Sequence, residues 1–126
     1  MRPDFLLVHE AVADRFLALL KSTITEFYGA DPQRTEWLGR CVNANAFQRL
    51  EGLIKGAADR IYSGGRTDAN DRYIEPTVLD YGTDLAAFSA SEPMQDEIFG
   101  PILPVARFSD LEQVINLIKE LPTGKP

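Results

Sequence analysis

The tightest local constraint in this sequence is Gly100-Pro101, set inside the stretch E-P-M-Q-D-E-I-F-G-P-I-L-P that runs from Glu92 to Pro104. Gly100 reaches backbone angles closed to other residues, and its place before Pro101 biases it away from helix and towards extended structure. Pro104 repeats the restriction. The segment therefore reads as a stiff turn with a sharp, extended exit. Three acidic residues, Glu92, Asp96 and Glu97, lie close to an Ile98-Phe99 pair that the pattern places at the surface. An ionised Glu97 accepts hydrogen bonds only, so a pair of sugar hydroxyls is a natural partner, and Phe99 can cover a flat ring. The residues alone leave a second reading open, in which Glu97 is merely solvated and Phe99 is ordinary core.

Composition narrows the function classes. A length of 126 residues fits one domain, and 44% hydrophobic with 25% charged residues is the balance of a soluble globular chain. A net charge of −6 with scattered Lys and Arg argues against a nucleic-acid partner or an anionic membrane surface. No apolar run approaches membrane-spanning length, and the N-terminus lacks the basic-then-apolar pattern of a secretory signal. A single cysteine excludes an internal disulfide and fits a reducing compartment, so an intracellular, cytoplasmic location is expected.

Periodicity predicts an alternation of strands and helices. Asp4 to Glu10 carries F-L-L-V-H and reads as a buried strand with polar ends. From Val12 to Tyr28 apolar residues recur at helical spacing and Gly29 stops the helix, with Phe16 and Phe27 expected in the core. Asp31-Pro32 opens a polar loop in which Trp37 packs against a neighbour. A second helix, which Asn45 and Gln48 cap in box fashion, carries Phe47, Leu50, Leu53, Ile54, Ala57 and Ala58 and ends near Asp59. Ile61-Tyr62 is a short strand closed by Gly64-Gly65, and Arg66 to Arg72 is a surface loop. Tyr73 to Leu79 alternates as a strand, with Pro76 arguing for an edge or bulged position. Asp80 to Ser91 reads as loop with a short helical turn. Ile102 to Phe108 is a strand, and Ser109 to Glu112 has capping-box spacing ahead of a final helix with Leu111, Val114, Ile115, Ile118 and Leu121 inward. The end, L-P-T-G-K-P, is loop. The sum is an α/β layer with at least some parallel strands.

Three features invite a chemical role and resist it. His9 is the only histidine, stands at a strand end and has no nearby cysteine or second histidine to share a metal. Gly64-Gly65 lacks the flanking glycines or lysine of a phosphate cradle and reads as a turn. Cys41, in G-R-C-V-N-A-N-A-F, lacks the activated setting that a thiolate requires.

The stretch M-Q-D-E-I-F-G-P-I-L-P resembles the E-x-F-G-P motif of the NAD(P)-dependent aldehyde dehydrogenases, with Asp96-Glu97 where the family usually has Glu-Glu. The likeness extends through R-P-D-F-L-L-V-H at the start, E-F-Y-G at 26–29, G-G-R-T-D at 64–68 and R-Y-I-E-P-T-V-L at 72–79. The E-F-Y-G and R-Y-I-x-P-T-V-L stretches point to the class 3-like branch, which acts on fatty and aromatic aldehydes. The resemblance implies an α/β fold, part of a catalytic domain with a mostly parallel sheet and flanking helices. It implies oxidation of an aldehyde to a carboxylic acid with NAD or NADP, through a cysteine nucleophile and a glutamate base. By resemblance Glu97 bonds the hydroxyls of the nicotinamide-side ribose, and Phe99 packs near the nicotinamide.

In the family the catalytic cysteine lies just upstream of the stretch matched by Arg2-Pro3-Asp4-Phe5-Leu6. The expectation is thus that residues 1–126 are the C-terminal part of a catalytic domain truncated at both ends, lacking nucleophile, base and most of the cofactor domain. Such a piece is expected to be inactive alone and marginally stable or self-associating. The full enzyme is expected to bind an aldehyde, to form a homo-oligomer, and to meet a membrane only through a further C-terminal segment. The rival expectation is a non-catalytic pseudoenzyme or interaction module of the same fold.

Overall fold

The computed structural model describes residues 3–121. Its sheet is organised about the strand that leaves the Gly100-Pro101 turn. That strand, β6 (Ile102–Phe108), runs parallel to β1 (Leu6–His9) on one side and to β5 (Thr77–Asp80) on the other. On its far side β5 pairs antiparallel with β2 (Ile61–Ser63), giving the order β1-β6-β5-β2. The expected α/β layer with a mostly parallel sheet is thus present. A parallel sheet needs cover on both faces, and successive residues of a strand point to opposite ones. Val78 and Val105 join Val8 in one core cluster, whereas their neighbours Leu79 and Ala106 join Ile102 in the other.

The first cluster is closed by α1 (Glu10–Tyr28) through Ala13 and Leu17. His9 caps this helix: its Nδ1 accepts the Ala11 N–H at 3.2 Å, which gives the lone histidine a structural task. Gly29, at φ 81°, ends it as the sequence predicts. The expectation that Phe16 and Phe27 are core fails, since they are 38% and 68% exposed. At 3.6 residues per turn, one step back and ten steps on from Leu17 both land roughly a quarter turn round the helix, off the line that meets the sheet.

The opposite face is covered by α2 (Ala44–Gly56), α3 (Leu85–Ala90) and α4 (Leu111–Glu120). Asn43, not an Asn45–Gln48 box, caps α2 by accepting the Ala46 N–H at 2.8 Å, because the helix starts two residues earlier than the apolar spacing suggests. It ends at Gly56 and a separate 3-10 turn, Ala58–Arg60, leads into β2. In α4 the cap is Asp110 rather than Ser109, accepting the Glu112 N–H at 3.0 Å. Val114 and Leu117 face inward, leaving Leu111, Ile115 and Ile118 exposed. Of the closing L-P-T-G-K-P, residues 122–126 lie outside the described residues, as do Met1 and Arg2.

Two more expectations are corrected around Pro76. The supposed surface loop contains β3 (Thr67–Asp68), which pairs with β4 (Tyr73–Ile74) in a separate hairpin. The predicted Tyr73–Leu79 strand is two strands, broken at Glu75-Pro76, and β5 beyond the break is an inner strand rather than an edge. Proline cannot donate to a ladder, so the chain changes sheets there instead of running along an edge. Trp37, expected against a neighbour, is exposed.

Ion pairs tie the layers. Arg107 on β6 donates to Asp80 on β5 at 2.6 Å and to Asp14 on α1 at 2.7 Å. Hydrogen bonds also hold three carboxyls below their ordinary values: Asp31 through Arg66, Glu51 through Lys55 and Asp68 through Gln33. Each binds a proton more weakly folded than unfolded, so its contribution is complete above the unfolded carboxyl range of about 4 and is lost as pH falls through the lower folded values. Thermal midpoints should therefore be nearly level from about pH 5 to 7 and fall below about pH 4. An Asp31→Asn, Asp68→Asn double variant should show a shallower acid limb; an unchanged limb would refute the assignment.

Candidate functional site

The turn between residues 95 and 102 is held by partners from three distant segments. The Ile98 N–H donates to the buried carboxylate of Asp4 at 3.0 Å, and Nη2 of Arg49 on α2 donates to the Ile98 carbonyl. The Thr77 N–H donates to the Pro101 carbonyl at 2.8 Å, and the Ile102 N–H closes back on the Gly100 carbonyl at 2.8 Å. Asp96 accepts the N–H of Glu97 at 2.7 Å. Both backbone groups of Ile98 are thus fixed by ionisable side chains.

This pinning separates two neighbours that the sequence places together. Ile98 is fully buried against the α2 and α3 face, which corrects the expectation of a surface pair. Phe99 is 78% exposed and adopts φ 47°, a left-handed conformation that disfavours a side-chain-bearing residue by about 1–2 kcal/mol. Glu97 is also exposed. The glycine at 100 serves close packing rather than backbone freedom: a Cβ there would come within 2.4 Å of both δ-carbons of buried Leu50.

Phe99, Gly100 and Pro101 form one wall of a cleft of about 350 Å³, whose other walls are Leu38 to Val42, the start of α2 and Ile74. Its lining is mainly apolar, with Arg40 and Arg49 as the charged members. Arg40 is committed to the scaffold, bonding Asp71 at 2.9 Å and the carbonyls of Leu38 and Gln33 at 2.8 and 2.6 Å while lying over the Tyr73 ring. Glu97 stands on the turn outside the cleft lining. Cys41 is in the wall, and burial pushes its thiol up despite the opposing charges of Arg72 and Arg49. A thiol so shifted is protonated at neutral pH and a poor nucleophile. His9 lies at the N-terminus of α1, its ring against Phe108. Among the described residues no group of three or more His, Cys, Asp or Glu side chains is placed to hold a metal.

The structure thus puts Glu97 and Phe99 exposed on one pinned turn, Cys41 in the cleft wall with its thiol pushed up by burial, and His9 at the cap of α1. The sequence reading missed Asp4 and Arg49. The one available hint was an acid ahead of the apolar F-L-L-V run, at the mouth of a buried strand.

An open α/β layer with an exposed acid and aromatic beside a cleft defines a class, and comparison with known proteins supplies the family. The aldehyde dehydrogenase family model matches residues 1–125, and the chain belongs to that family. It is 43% identical over 120 residues to the 4,4'-diaponeurosporen-aldehyde dehydrogenase of Staphylococcus aureus, covering 95% of this chain and 25% of that protein. It is 44% identical over 117 residues to human aldehyde dehydrogenase family 3 member B1, covering 92% and 23%. The likeness to the class 3-like branch is therefore supported. Among solved structures, the substrate-bound state of Staphylococcus aureus AldH superposes with a TM-score of 0.87 at 43% identity, over 95% of this chain and 25% of that one. An indole-3-acetaldehyde dehydrogenase of P. syringae in complex with NAD+ superposes with a TM-score of 0.74 at 26% identity, over 94% and 24%. The chain thus spans about a quarter of the length of these relatives.

Proposed function

We propose that residues 1–126 form the cofactor-facing, C-terminal part of the catalytic domain of an enzyme that oxidises aldehydes to carboxylic acids with NAD or NADP. The observation that carries the reading is the pinned turn that turns Phe99 outward at φ 47° with Glu97 two residues before it. An acceptor-only carboxylate suits the two hydroxyls of a ribose, and an exposed phenyl ring suits the flat face of a nicotinamide. When bound, the dinucleotide supplies the hydride acceptor. Glu97 holds its sugar by accepting hydrogen bonds, Phe99 covers the ring and keeps water from it, and Ile98, Gly100 and Pro101 fix the turn. The relative from P. syringae with NAD+ supports the choice of cofactor.

By itself the 126-residue chain is inactive, because its only cysteine is Cys41, whose thiol burial pushes up and on which the only charged groups acting, among the described residues, are the cations Arg72 and Arg49. The nucleophile and the general base come from the remainder of the enzyme. The exposed apolar side chains Phe27, Leu111 and Ile118 support contact with that remainder or with further copies in a homo-oligomer. A single cysteine supports an intracellular, reducing setting.

A chimera tests this: residues 1–126 replace the matching quarter of the Staphylococcus aureus relative, and aldehyde-dependent reduction of NAD+ is followed. The chimera should turn over. Glu97→Gln should weaken dinucleotide affinity about tenfold to a hundredfold, as expected for loss of hydrogen bonds to an ionised acceptor, and Phe99→Ala several-fold. A folded, dinucleotide-binding chimera that is indifferent to both changes refutes the assignment. One that binds but never turns over favours a non-catalytic module.

A further inference from the structure

Phe99 holds an unfavourable backbone conformation, and the structure shows what stands against its relaxation. A half-turn of the Ile98–Phe99 peptide unit alters ψ at Ile98 and φ at Phe99 in opposite senses and leaves the path of the chain almost unchanged. Applied to φ 47°, it gives roughly −130°, in the negative range of φ that side-chain-bearing residues ordinarily adopt. The flip would turn the Ile98 carbonyl away from α2, so the hydrogen bond from Arg49 exists only in the unflipped state. The Ile98 N–H belongs to the preceding peptide unit, which Asp4 fixes from the opposite end of the sequence. The Ile98 side chain, fully buried, prevents the two from moving together.

We propose that Arg49 and Asp4 are positioning residues that hold the Ile98–Phe99 peptide in its less stable orientation, so that the Phe99 ring stands ready for the nicotinamide. This rests on the reading of Glu97 and Phe99 given above. The device pre-organises the site: the cost of the left-handed residue is met in folding rather than at binding. Without the clamp the binding-competent state becomes one of two, and apparent affinity falls in proportion to its population.

The test uses two readouts. In the 126-residue chain, a strong intraresidue Hα–HN NOE at Phe99 marks the positive φ. Arg49→Met keeps the aliphatic stem and removes the donor; it should weaken that NOE, while Arg49→Lys, which retains a donor, restores most of it. Asp4→Asn should speed hydrogen exchange at the Ile98 amide about tenfold or more with the fold retained, giving a second measurement should the Met variant unfold. In the chimera, Arg49→Met should raise the dinucleotide Kd several-fold, by no more than Phe99→Ala does, with kcat at saturating dinucleotide changed about twofold or less. A purely structural role would lower the melting temperature and leave Kd alone. An undiminished NOE in Arg49→Met overturns the proposal. So does an unchanged Kd in Arg49→Met when Phe99→Ala raises it, a result that leaves the cofactor site intact. If Phe99→Ala and Glu97→Gln also leave Kd unchanged, the site itself is misassigned and the clamp loses its purpose.

Discussion

Replacing Phe88 by alanine is expected to lower the free energy of unfolding by about 3–5 kcal/mol. The ring is fully buried and is the only fully buried residue of the six-residue α3, so, with half-buried Leu85 beside it, it is the main anchor of that helix to the core. It meets Tyr81 edge-on at 5.5 Å between centroids and Phe5 at 6.1 Å, contacts that add about 0.5–1.5 kcal/mol each beyond burial. Its removal leaves a void beside the Tyr81 and Phe5 rings in the core. Domains of this size are stable by only about 5–15 kcal/mol, so a large share of the total is at stake. A urea titration should show the midpoint falling with an unchanged slope. A loss below about 1 kcal/mol would mean that α3 is not anchored as described.

Gly64→Ala should cost nearly as much for a different reason. The residue sits at φ 82°, and a Cβ there would lie 2.2 Å from the Pro76 carbonyl oxygen and 2.9 Å from the Thr77 Cα. Both are backbone atoms. Thr77 cannot yield, since its N–H bonds the Pro101 carbonyl and its hydroxyl accepts the Gly65 N–H at 3.0 Å. Backbone strain and collision together should destabilise by about 2–4 kcal/mol. Gly82 provides the control: it has φ 59° but open space around it, so Gly82→Ala should show the conformational part alone, about 1 kcal/mol. Equal effects at the two sites would show that the collision is relieved.

How far the sequence could be read depended on whether the deciding contact was local. The bounds of β6 follow from its ends, Gly100-Pro101 before it and the Ser109-Asp110 cap after it, and the structure has the strand at Ile102–Phe108. Gly29 marks the end of α1 for the same kind of reason. Ile98 and Phe99 were inseparable because both are large and apolar; only the hydrogen bonds of Ile98 to Asp4 and from Arg49, 94 and 49 positions away, send one inward and the other out. Pro76 was read as an edge or bulged position within one strand, yet whether a proline lies on an edge or between two sheets depends on strands elsewhere. Phe16 and Phe27 looked like core because their spacing is helical, but the footprint of Ala13 and Leu17, with half-buried Leu20 and Ile24 beside them, decides which side of α1 is covered.

The strand order carries a consequence for biosynthesis. β1 and β5 touch only through β6, so β1 waits for a strand made much later before the two can be joined, across nearly a hundred intervening residues. Until Phe108 has emerged, Leu6 to His9 and Thr77 to Asp80 each present an unsatisfied ladder. Late closure of this kind slows maturation and exposes nascent polypeptide to mispairing. Interruption of translation ahead of Ile102 would therefore leave two halves with nothing between them, a substrate for chaperones and proteases.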